Sequence, residues 1–187
     1  HQGIQVNAFD VINNGFVTTN NVGFDSLALF STAHTVLQGG TQSNRPTVDA
    51  DLSVTSLQAA VENFEKTLDE RGLNIAIKPK VLLVTPEMKW TARELLGSSF
   101  APYTPNNEIN PLMDEDLKYM VGHFLTDPDA WCLLGDKETH DMNFIWRTKP
   151  EFEPGDDYDT GDAKFKVYTR FSQGFGDWRG VYGSTGA

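Results

Sequence analysis

The chain has 187 residues, of which 39% are apolar and 11% aromatic; this supports one domain or two small ones with a real core and excludes wholesale disorder. A formal net charge of −11 argues against nucleic-acid binding as the main function, because neutralising phosphates takes Lys and Arg; the same acidity would suit a surface that encloses DNA without adhering to it. The lone Cys132 excludes an intrachain disulfide, histidines scattered at 1, 34, 123 and 140 oppose a four-ligand zinc site, and no apolar run approaches the ~18–20 residues of a membrane span.

In chain order, Val6-Asn7-Ala8-Phe9-Asp10-Val11-Ile12 reads as the end of a helix with Val6, Phe9 and Ile12 on one face, stopped by Asn13-Asn14-Gly15. Residues 17–50 read as a long polar loop with brief strand content. Asp51 or Ser53 caps a helix that the stripe Val54, Leu57, Val61, Phe64 and Leu68 carries to about Arg71, with Gly72 ending it. Lys80–Val84 is a short buried strand. Thr85 as cap, Pro86 at the first position and Glu87 in the first turn then open a second helix, with Met88, Ala92, Leu95 and Leu96 inward. Residues 100–116, with their prolines and asparagines, read as an extended loop.

Later segments read mostly as strand. Leu117–Leu125 and Trp131–Leu134 are strands, separated by the turn Thr126-Asp127-Pro128-Asp129. Residues 149–163 read as an acidic connection. Phe165, Val167, Thr169 and Phe171 alternate with Lys164, Lys166, Tyr168 and Arg170, the period-two signature of a strand with one face buried. The aromatic, glycine-rich tail from Trp178 to Gly183 packs back. The class is α+β, without the regular alternation of a nucleotide-binding fold or a phosphate-binding loop.

Few residues offer chemistry. Ser31 lies three residues before His34, yet no nucleophile elbow frames the serine; the expectation is that His34 and Asn44 hydrogen-bond the loop backbone and hold its shape. The acidic run from Asp156 to Asp162 fails the calcium-loop frame, since Gly161 falls one position early. His123 and His140 read as structural histidines, and Cys132 as a small buried apolar residue. Arg93, Arg170 and Arg179 are candidates for inter-subunit ion pairs, or else ordinary surface charge. Neither metal nor cofactor is expected.

The order of segments resembles a known family. Leu29-Phe30-Ser31 with Ala33-His34, Gln42-Ser43-Asn44-Arg45, Asp51-Leu52-Ser53, Ile75–Pro79 and Val81–Pro86 come first. Asn107-Glu108-Ile109-Asn110, Leu125–Trp131, Asp157–Gly161 and Trp178–Gly183 follow. Together they are similar to the Mu gpT-like major head proteins of tailed phages. The resemblance implies the HK97-like capsid fold. Residues 1–48 would be the first part of a peripheral domain, ending a spine helix; 49–127 an axial domain; and 128–187 the second peripheral part. The N-terminal arm and extended loop of such proteins are not in this sequence. The implied function is structural, without catalysis: self-assembly as hexamers and pentamers into an icosahedral virion shell around phage DNA. Assembly would occur in the host bacterial cytoplasm, away from membranes, with portal, scaffold or decoration proteins as further partners. Asn44, Arg45, Tyr103, Asn107, Asn110 and Arg179 are the candidate subunit-interface residues. The competing readings are a soluble hydrolase using His34 with a serine or carboxylate, and another virion part such as a decoration protein.

Overall fold

The computed structural model describes residues 2–18, 22–37, 39–102, 108–156 and 159–187. Helix α1 spans Gln2–Asn13, and the short strands β1 (His34–Thr35) and β2 (Thr41–Gln42) pair antiparallel in the loop that follows. Helix α2 is Val54–Glu65, β3 is Val81–Val84, α3 is Lys89–Gly97, and a 3-10 helix covers Pro111–Glu115. Strands β4 (Lys118–Val121), β5 (Trp131–Leu134), β6 (Met142–Asp156), β7 (Ala163–Phe175) and β8 (Val181–Ser184) complete the chain.

The centre is a four-stranded sheet ordered β4-β3-β5-β8, with β3 parallel to β4 and antiparallel to β5. The segments 49–127 and 128–187 thus share this sheet. Strands β3, β5 and β8 bury both faces, while the edge strand β4 is largely exposed. Leu82, Val84, Trp131, Leu133 and Tyr182 face α2 and α3, where they meet Leu57, Ala60, Val61, Phe64, Ala92 and Leu95. Leu83, Cys132, Leu134 and Val181 face the other way, onto Val11 of α1, Leu29, Phe30 and Trp178. Cladding on both sides is why β3 and β5 read as unbroken apolar runs rather than alternating ones. The tail does pack back: β8 is hydrogen-bonded to β5, and Gly183 lies against the Phe30 ring, where an added Cβ would stand 2.8 Å from Cδ1.

Several boundaries differ from the sequence reading. On α1 the most buried residue is Val11, and Val6 is exposed. Helix α2 starts as expected: Ser53 and Ser56 form a capping box. It ends at Glu65 rather than near Arg71, because Gln42 captures the backbone of Leu68: its Oε1 accepts from Leu68 N (2.9 Å) and its Nε2 donates to Leu68 O (3.2 Å). Gly72, at φ 77°, turns a loop closed by the Leu68–Asn74 bridge. Thr85 does not cap α3. Its hydroxyl donates to the Pro128 carbonyl at 2.7 Å, so the helix begins after a turn, at Lys89. The strand expected over Leu117–Leu125 is only β4.

The largest difference lies at residues 149–163. Most of this supposed connection belongs to β6, which pairs with β7 in a long two-stranded ribbon. Pro150 and Pro154 suggested a loop. A two-stranded ribbon has an unpaired outer edge on each strand and carries register shifts between Trp146 and Glu151, so residues without an N–H are tolerated there.

Candidate functional site

The Ser31–His34 corner is built by the loop from residue 22 to 45 folding over the second core. His34 is fully buried and stacks on Trp178, with ring centroids 4.2 Å apart and planes within 5°. Its Nδ1 lies 2.6 Å from Asp25 Oδ2 and its Nε2 3.2 Å from Asn44 Oδ1. Asn44, 3% exposed, knits the loop together: Nδ2 donates to Leu29 O at 2.7 Å and Oδ1 accepts from Ser31 N at 2.9 Å. That orientation turns the amide oxygen, not the nitrogen, toward His34. A hydrolytic triad needs its serine hydroxyl at the imidazole nitrogen opposite the carboxylate. Here the Asn44 oxygen holds that place, and Ser31 Oγ accepts instead from the Ala33 amide at 3.3 Å. Asn44 shapes the loop backbone as expected. His34 differs, for its partners are two side chains. Asp25 was not picked out in the sequence, where it sits in an ordinary polar turn nine residues before the histidine.

The remaining candidates are dispersed. Arg45 pairs with Asp49, Nε to Oδ1 at 3.0 Å, and its guanidinium lies 5.0 Å over the Phe16 ring. Burial works to raise the Asp49 carboxyl, but Arg45 and the Thr185 amide outweigh it and hold the group below the usual carboxylate range. Arg179 is 6% exposed and its partners are intrachain. It reaches Glu70 Oε1 (2.5 Å), both Asp177 oxygens (3.1 Å) and Leu68 O (2.9 Å), and lies over Trp178. Asn110 is 1% exposed. Its Nδ2 donates to Leu95 O (2.7 Å) and Ser98 O (2.9 Å), its Oδ1 accepts from Leu112 N (3.1 Å), and so one side chain closes α3 and opens the 3-10 helix. Tyr103 and Asn107 lie outside the described residues, as do Asp157 and Tyr158 of the acidic run. Cys132 is buried, with its thiol pushed up to about 12 by desolvation, matching the small apolar residue expected.

Among the described residues no group of His, Cys, Asp and Glu could hold a metal ion, and no helix is long and apolar enough to cross a membrane. What the surface offers instead is exposed apolar side chains. Phe100, Ile109 and Met113 are exposed after α3, and Ile109 lines a groove with Val54, Gln58 and Pro111. The β6–β7 ribbon exposes Phe152, Phe165 and Val167.

A family model described as phage capsid protein matches residues 3–184. A solved structure from Mycobacterium phage Che8 is similar at 16% identity and a TM-score of 0.48, over 76% of this chain and 54% of that one. The present chain therefore spans about half the length of that protein. No curated protein matches. With the match running from α1 to β8, the chain belongs to the phage capsid protein family, a structural family.

Proposed function

We propose that this chain is a wall-forming subunit of a tailed-phage head with the HK97-type fold, self-assembling as hexamers and pentamers into an icosahedral shell around DNA. The observation that carries the reading is the family match over residues 3–184. The net charge of −11 supports it, since an acidic wall encloses packaged DNA without binding it. At His34 Nε2 the Asn44 oxygen stands where a serine hydroxyl would have to be, which weighs against the hydrolase reading.

In this reading residues 49–127 form the axial part and 1–48 with 128–187 the peripheral part, joined through the shared central sheet. The loop over 100–116 lies at a subunit interface, with Tyr103 and Asn107 at its contacts. Arg45 meets a neighbour directly. Asn44, Asn110 and Arg179 serve the interface from within, by holding the loops that neighbours touch. Assembly takes place in the host cytoplasm, with portal, scaffold or decoration proteins as further partners.

The test is to express the full open reading frame, with and without its neighbouring head genes, and examine the heavy sedimenting fraction by negative stain. Closed shells tens of nanometres across are the expected outcome. Only small monodisperse species under both conditions would overturn the reading.

A further inference from the structure

The β6–β7 ribbon is amphipathic and lacks a cover. Its register places Phe152 opposite Val167 and Pro154 opposite Phe165 on one face. The Phe152 and Phe165 rings stack with centroids 5.6 Å apart. Along the same face toward the body lie Trp146, Phe171 and Phe144, with ring centroids 5.1–5.9 Å apart. The row ends at Met142 and Phe175, which pack on the second core. The opposite face carries the Glu153–Lys166 ion pair (2.7 Å) and the Glu151–Tyr168 pairing. This is the pattern of a ribbon with one side dry and one wet. In the chain alone the dry side stays wet: Phe152 is 63%, Phe165 67% and Val167 66% exposed.

We infer that this face docks on a second copy of the chain. The inference rests on the shell reading above and names one of its contacts. Together with Trp146 and Pro154, the open apolar surface comes to roughly 400–500 Å² at the areas typical of aromatic side chains. That falls in the range of about 300–600 Å² of the largest patch on a typical monomer, which is often a functional one, and is about half of the ~800 Å² one partner contributes to a stable interface. A two-stranded ribbon is marginal by itself, so its length of 13 to 15 residues per strand calls for support that the subunit does not supply. Charge selects the class of occupant. Residues 149–168 carry six carboxylates against three lysines, which disfavours DNA or an anionic lipid surface and leaves protein. The shell reading identifies that protein, since the neighbours of a shell subunit are copies of itself.

The experiment compares the wild-type full chain with the double variant Phe152→Ser/Phe165→Ser, by sedimentation across a concentration series and by hydroxyl-radical footprinting of wild-type monomer and assembly. Both positions are exposed, so losing their mutual stack is expected to lower the urea midpoint of the isolated variant only slightly, while the concentration needed for assembly rises at least tenfold. Footprinting is expected to show Phe152 and Phe165 at least threefold less reactive in the assembly than in the monomer. It reads the wild type alone, so it decides the matter even if the variant misfolds. Wild type that assembles with both rings as reactive as in the monomer overturns the inference and leaves the shell reading standing. Wild type that stays monomeric at every concentration overturns the inference, and the shell reading then rests on the co-expression test alone.

Discussion

His34 Nδ1 stands 2.6 Å from Asp25 Oδ2, with both side chains shut away from solvent. The other ring nitrogen faces the Asn44 oxygen, so both nitrogens point at acceptors. This arrangement closes the loop from residue 22 to 45 over the Trp178 ring. Replacing His34 with Ala leaves the Asp25 carboxyl buried without its partner, a loss in the range of about 3–5 kcal/mol. Urea unfolding is expected to show that loss, and a double-mutant cycle with Asp25→Asn a coupling of about 1–3 kcal/mol. Additive effects would mean the two groups do not act as a pair.

Asn110 satisfies the α3 carbonyl of Leu95, the carbonyl of Ser98 just after it and one amide of the 3-10 helix from inside the fold. Removing it strands buried backbone groups, at about 1–3 kcal/mol for an unsatisfied donor or acceptor. Asn110→Ala is therefore expected to lower the thermal midpoint of the isolated subunit before any assembly is measured. A bulky residue there would disturb folding too, so a clean probe of the loop as an interface changes Asn107 alone. An unchanged midpoint for Asn110→Ala would show these bonds contribute nothing net.

Cys132 lies on β5 within the second core, its thiol raised to about 12 by burial. A thiolate is the reactive form. At neutral pH a thiol reagent is expected to label the native chain only at the rate of unfolding, and completely in denaturant. Rapid labelling of the native chain would mean that β5 and β8 separate readily.

Glu70 joins the tail to the turn after α2. The Leu37 amide (2.9 Å) and then Arg179 favour its charged form and hold its carboxyl below the ordinary value. A depressed folded value stabilises the fold above the unfolded carboxylate range, and that contribution is lost as pH falls through the folded value. Glu70→Gln is expected to be less stable than wild type at pH 7, with the gap narrowing below about pH 4 as the wild-type carboxylate protonates. A gap that does not narrow at all as pH falls through the acid range would place the role of Glu70 in packing rather than charge.

Local pattern alone was enough for the core elements. The stripe Leu57, Val61 and Phe64, the run Val81–Val84 and the run Trp131–Leu134 each mark an element that the fold contains, because burial on one helix face or on both sheet faces leaves its period in the residues. The ordered motifs likewise pointed to the capsid family, which the match over residues 3–184 shows. Tertiary structure decided what depends on partners distant in the chain. Gln42 ends α2 three residues before Leu68; Pro128 takes the Thr85 hydroxyl away from α3; Asn44 fills the place at His34 Nε2 where a nucleophile would stand. None of these pairings has a local signature, since a side-chain hydrogen bond depends on proximity in space and not on spacing in sequence. The alternation of Phe165, Val167 and Phe171 lies between the two cases. It correctly marked a strand, but the face it was read to bury is uncovered in the single chain, with Phe165 and Val167 exposed, because alternation records that a face is apolar and not which molecule lies against it.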